Sequence, residues 1–225
     1  MSVLFSRRSL STLVLVEHKQ GKIASNTLHS LSASLALSSN PSCLVMGDAS
    51  DSTLMAAKEA AKYCSKVYVA QHASLANGLA ESHAPVLAQL SKNHSHIISC
   101  HSAYGKNILP RAAALLDVQP ISDVLQIHSN DTFTRPIYAG NAMAQVKSSD
   151  SIKMITIRPT AFPAAAPVPS PGAVEQVSVT EASHPTKFIS ESISKSDRPE
   201  LGSAKIVIGG GRVSFLKLFL NSYRV

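Results

Sequence analysis

Residues 102–146 read SAYGKNILPRAAALLDVQPISDVLQIHSNDTFTRPIYAGNAMAQV, and their pattern decides the fold. The apolar run Ile97–Cys100 enters this stretch, a Ser/Gly/Lys loop follows, and Asn107 stands where a helix N-cap belongs. Pro110 then falls in the first turn, where a missing N–H costs nothing. Ile108, Ala112, Leu115 and Leu116 recur at i, i+4, i+7 and i+8, which predicts one buried stripe. Strand, loop and helix in that order make one repeat of an α/β sheet.

Upstream the same rhythm repeats. Thr12–Glu17 (TLVLVE) is a continuous apolar, β-rich run suited to a central strand buried on both faces. Strands are expected again at Cys43–Met46, closed by the Gly47–Asp48 turn, and at Val67–Ala70. Helices are expected at Thr27–Leu37, where many serines weaken intrinsic helicity, at Ser52–Tyr63 with its thin alanine face, and at Leu79–Leu90, which Pro85 bends or delays. Four strand–helix alternations with short connections predict an open, mostly parallel sheet with helices on both faces, of Rossmann-like type.

Downstream of Pro120 the rhythm changes to strand-like segments, Ile121–Ile127, Thr132–Tyr138, Met143–Lys147 and Met154–Arg158, with turn chemistry at Asn130–Asp131 and Gly140–Asn141. Antiparallel edge strands are expected there, which closes a first domain over residues 12–160. Residues 161–200 hold Pro163, Pro167, Pro169, Pro171, Pro185 and Pro199 among Ala, Ser and Val, the composition of an interdomain linker. A strand at Lys205–Ile208 then leads into Gly209–Gly210–Gly211–Arg212.

Composition narrows the function classes. With 44% hydrophobic and 16% charged residues, the chain can bury a core, and no run approaches the ~18 apolar residues that cross a bilayer. The net charge of +7 comes from scattered Lys and Arg with no aromatic-interleaved stripe, which argues against nucleic acid. Cys43, Cys64 and Cys100 are odd in number and lie in apolar surroundings, as reduced thiols do. Residues 1–11 carry Arg7, Arg8, four serines and no acid, the composition of a mitochondrial transit peptide.

The residues with chemical potential form no catalytic set in the sequence. Gly105–Lys106–Asn107 lies at the carboxyl end of a strand, where a phosphate can bind, and equally reads as a structural turn or subunit contact. His94, His96 and His101 lack a completing carboxylate or cysteine at ligand spacing, so no metal is expected. Ser122–Asp123 and Thr134–Arg135 have no G-x-S-x-G elbow and no paired histidine, so turn capping and edge polarity account for them, with Arg135 able to reach a partner carboxylate.

The blocks AYGKNILPRAAAL, PISDV, TFTRPIYAGNA and SDRPEL, in this order and spacing, resemble the alpha subunits of electron-transfer flavoproteins from about Thr12 to Arg212. The resemblance implies an adenine-nucleotide-hydrolase-like first domain that packs on a beta subunit, and a second, FAD-binding domain beginning at residue 201. It matches Arg212 to an arginine that contacts FAD and puts AMP on the beta subunit. It implies an electron carrier of the mitochondrial matrix rather than an enzyme. Such a carrier takes electrons from acyl-CoA dehydrogenases and passes them to the electron-transfer flavoprotein-ubiquinone oxidoreductase, in fatty-acid and amino-acid oxidation. Residues 213–225 (VSFLKLFLNSYRV) match nothing in the family, so truncated flavin binding is the expectation. Two rival readings are a non-redox module that docks on beta and a universal-stress-like adenine-nucleotide binder.

Overall fold

The computed structural model describes residues 10–179, 184–192, 204 and 206–209. The chain divides into two units, residues 1–188 and 189–225.

In the first unit, apolar alternation sets the layers. Strand β1 (Thr12–Leu15) is buried along its whole length and leads into a small hairpin, β2 (His18–Lys19) and β3 (Lys22–Ile23). Helix α1 (Ser25–Leu35), β4 (Ser42–Gly47), α2 (Asp51–Ala60), β5 (Lys66–Gln71), α3 (Ala80–Ser91), β6 (His96–Cys100) and α4 (Ala103–Leu115) follow. Leu13 and Leu15 of β1 pack with Leu44, Met46, Ile97 and the buried faces of α3 and α4. Val14 and Val16 turn the other way, into a cluster with Leu31 of α1, Ala56 and Ala57 of α2, Val45 and Val67. Opposite faces of one strand thus feed two helical layers, which is why its run is continuously apolar.

Beyond α4 come β7 (Pro120–Val124), β8 (Gln126–Ile127), β9 (Thr132–Ile137), β10 (Ala142–Lys147), β11 (Lys153–Ile157) and β12 (Ala173–Gln176). Seven strands form one sheet in the order β12-β5-β4-β1-β6-β11-β7, and every neighbouring pair is parallel. The expected open parallel sheet is therefore present. The antiparallel strands β8, β9 and β10 form a separate three-stranded sheet next to β7, joined through the Leu125 N–H to the Thr134 carbonyl at 2.9 Å. Fully buried Phe133 fixes that small sheet to Ile98, Ile155 and Val124.

Three local expectations are corrected. Helix α4 starts at Ser102, not Asn107: the Ser102 hydroxyl accepts from the Gly105 N–H at 3.2 Å. Gly105 allows this early start, because a Cβ there would stand 2.0 Å from the Cys100 carbonyl oxygen. Pro110 consequently sits inside the helix, as Pro85 does in α3. The buried stripe of α4 is Ile108, Leu109, Ala112 and Ala113, whereas Leu115 is 58% exposed.

The sheet also extends past residue 160. The proline-rich segment crosses back over α1 and α2, with the Ala165 N–H on the Leu28 carbonyl and the Val168 N–H on the Lys62 carbonyl. Gly172 passes so close to Cys64 that a Cβ would lie 2.3 Å from its carbonyl, and β12 then pairs with β5 at the far edge. In the second unit, Ile206, Val207 and Ile208 are exposed and belong to no strand, contrary to the strand expected at Lys205–Ile208. Lys205, Arg212, the 213–225 tail and nearly all of the expected transit peptide lie outside the described residues.

Candidate functional site

The strand order reverses direction between β1 and β6, and in an open α/β sheet ligands and partners gather at the carboxyl ends of the strands around that point. On the β1/β4 side the rim is acidic. His18 Nε2 donates to the Met46 carbonyl at 2.9 Å, which leaves Nδ1 buried and bare among the described residues. Glu17 Oε2 is likewise buried without a hydrogen-bond partner among the described residues. Asp48 accepts from the hydroxyls of Ser50 at 2.6 Å and Thr53 at 3.2 Å, and the Ser50 hydroxyl is the main cause of its lowered pKa.

Across the reversal the rim is cationic. Asp123 holds a left-handed backbone at φ 59° at the end of β7, and Arg158, just past β11, grips its carboxylate with Nη2 and, at 3.0 Å, with Nε. The Thr156 hydroxyl accepts from the Asp123 N–H at 3.0 Å and is hydrogen-bonded to His101 Nδ1 at 2.9 Å. Arg135, on β9, donates through Nε to the Ser122 carbonyl and through Nη2 to the Ser122 hydroxyl, both at 2.9 Å. Desolvation holds the His101 pKa low, and Lys106, Arg158 and Arg135 add to that against the opposing pull of Asp123. Neutral His101 therefore sits among three cations and one carboxylate.

The fold sorts the residues that the sequence singles out. Ser122, Asp123 and Arg135 meet on this rim with His101, a juxtaposition that separations of up to 34 residues hide in the sequence. Arg158 carries no signal in the sequence, because its partner is reached through parallel pairing of β11 with β7. Gly105, Lys106 and Asn107 form the first turns of α4 rather than a loop. The three histidines part company: His94 Nδ1 donates to the Leu90 carbonyl at 3.1 Å and His96 Nε2 to the Asn130 carbonyl at 2.6 Å. No group of three His, Cys, Asp or Glu among the described residues is placed to hold a metal ion.

All three thiols are buried and free, as expected, yet Cys43 and Cys64 are neighbours. The hydrogen bond to Cys64 and burial raise the Cys43 pKa, and burial pushes Cys100 up to about 12. Two open clefts measure about 290 and 300 Å³: one lies between α3 and β12 beside Leu90 and Gln176, the other between β7 and β10 beside Pro120 and Val146, where Arg135 of the rim also lines it.

These features define a doubly wound α/β domain with a divided carboxyl rim, acidic on one side and cationic on the other. The chain belongs to the electron transfer flavoprotein family, since the family's model, an electron transfer flavoprotein domain, matches residues 12–182. It is 45% identical over 205 residues to the electron transfer flavoprotein subunit alpha of Pseudomonas aeruginosa, covering 90% of this chain and 65% of that protein. It is 43% identical over 212 residues to a Cryptococcus neoformans protein named "Probable electron transfer flavoprotein subunit alpha, mitochondrial", covering 91% of this chain and 61% of that one. A Caenorhabditis elegans protein of the same name is 42% identical over 207 residues, covering 90% and 61%. The chain thus spans between 61% and 65% of the length of these curated relatives.

Proposed function

We infer that this chain acts as an alpha-type subunit of an electron-transfer flavoprotein, through a first domain that pairs with a beta subunit. The observation that carries this reading is identity above 40% over 90% of this chain, together with a family match over residues 12–182, a span that contains the whole parallel sheet. The role is electron carriage rather than catalysis: bound FAD supplies the redox chemistry, and the protein holds and tunes it. Donors of the acyl-CoA dehydrogenase type and a membrane flavoprotein acceptor that reduces ubiquinone are the partners this reading supplies, with AMP on the beta subunit. Relatives named as mitochondrial and the Arg7–Arg8, serine-rich start support the mitochondrial matrix, with residues 1–11 as the targeting segment.

For the flavin, the described residues offer no cradle. Gly209 has nothing within 4 Å of a Cβ position, and Ile206–Ile208 are exposed. Arg212 is the proposed contact, since a guanidinium can hold a phosphate bidentately or lie against an electron-rich ring. The second reading is a module that docks on beta without carrying electrons. Co-expression with a beta subunit followed by a visible spectrum of the purified complex separates the two. Stoichiometric flavin bands, abolished by Arg212→Ala, support the carrier; a colourless heterodimer supports the docking module.

A further inference from the structure

We propose that the cationic half of the rim, continued onto the tip of the β9–β10 hairpin, is a docking surface for a carboxylate-bearing protein face. The inference rests on the proposed pairing with a beta subunit and says which surface makes the contact and with what chemistry.

Four observations converge. Charge comes first: Lys106, Arg135 and Arg158 all lie close enough to act on His101, against the one carboxylate Asp123, and His101 stays neutral, so the cluster carries a surplus of about two positive charges. Arg158 is consumed by Asp123, whereas Lys106 is exposed and Arg135 gives only two of its three nitrogens to Ser122.

Rigidity comes second. The Ser122 carbonyl and hydroxyl clamp the Arg135 guanidinium in one plane, and Thr156 ties His101 to the Asp123 backbone. A planar cation fixed in advance loses little entropy when a carboxylate arrives, which is how arginine serves interfaces.

The third observation is an exposed aromatic next along the same strand. Tyr138, three residues beyond Arg135 at the hairpin tip, is 79% exposed. Tyr and Arg are residue types that interface cores favour. Finally, Tyr138 and Ala139 both have left-handed backbones, at φ 50° and 55°, ahead of Gly140 at 92°. This conformation displays the tyrosine outward on a paired hairpin instead of folding it onto the small sheet.

Carboxylates on the facing protein would meet Arg135 and Lys106 at the rim while Tyr138 inserts beside them. Charge complementarity excludes a basic or phosphate-binding partner surface.

The test titrates the full chain with purified beta subunit by isothermal calorimetry, using wild type, Lys106→Glu, Arg135→Gln, Tyr138→Ala and, as a control on α2, Lys58→Glu. Lys106 and Tyr138 are exposed and absent from the core, so their variants keep the fold; circular dichroism checks it. The expected result is that Lys106→Glu and Tyr138→Ala each weaken binding at least about tenfold, that Lys58→Glu does not, and that wild-type affinity falls as ionic strength rises. Wild-type affinity retained by both rim variants overturns the docking surface while leaving the pairing intact. Failure of the wild-type chain to bind overturns the pairing itself, and the surface with it.

Discussion

Gly105→Ala sets two effects of opposite sign against each other. Position 105 lies in the first turn of a 13-residue helix, where alanine is favoured over glycine by about 1 kcal/mol. The added Cβ would stand 2.0 Å from the Cys100 carbonyl and 2.5 Å from the Ser99 hydroxyl, about 1.4 Å inside the 3.4 Å at which ordinary contact begins. The nearest obstacle is backbone at the end of a central strand, so α4 must lift. That loosens Ile108, Leu109, Ala112 and Ala113 against the sheet. Overpacking on this scale costs about 3 kcal/mol, leaving a net loss of roughly 2 kcal/mol after the propensity gain. In thermal unfolding this lowers the midpoint by roughly 4–8 °C for a chain of this size. Ala114→Gly, on the exposed face of the same helix, loses about 1 kcal/mol from propensity alone. Calorimetry on both variants decides: a Gly105→Ala protein as stable as wild type, or more so, would refute the close approach of α4 to β6.

Phe133→Ala removes the largest fully buried side chain and the anchor of the small antiparallel sheet, so urea unfolding should show a loss of about 3–5 kcal/mol; Leu115→Ser, by contrast, should fall within about 0.5 kcal/mol of wild type. Burial lowers the His83 pKa to about 4, so the unfolded chain binds more protons between roughly pH 6.5 and 4, and stability should fall across that window as pH drops, by about 3 kcal/mol in total. His83→Gln should flatten that part of the profile. Gly172→Ala forces a Cβ onto the Cys64 carbonyl, and hydrogen exchange should quicken in β12 and along β5 while β6 and β11 keep their protection. Cys43, Cys64 and Cys100 are at most 3% exposed, so a thiol reagent should label none of them natively and all three in denaturant.

The parallel half of the fold is legible because its strands are buried on both faces, and the runs at Leu13–Val16, Cys43–Met46 and Ile97–Cys100 carry that burial in their composition. Helix starts are less legible. Asn107 is as good a cap as Ser102 by residue type, and only the close approach at Gly105 chooses between them. The order of β11 and β7 is hidden because β11 returns between β6 and β7 after the antiparallel excursion. Strand β12 is hidden by proline-rich flanks and by its exposure, since an edge strand needs no apolar run. At the rim the sequence displays Ser122, Asp123 and Arg135 singly. Their grouping with His101 and Arg158 follows from strand register, which no local pattern encodes.

The measurement that bears most directly on the central claim is sedimentation equilibrium of the full chain, purified after co-expression with a beta subunit. A single species with the mass of a one-to-one heterodimer is the predicted result. Two independently sedimenting monomers, each correctly folded by circular dichroism, would contradict the reading of this chain as an alpha-type subunit.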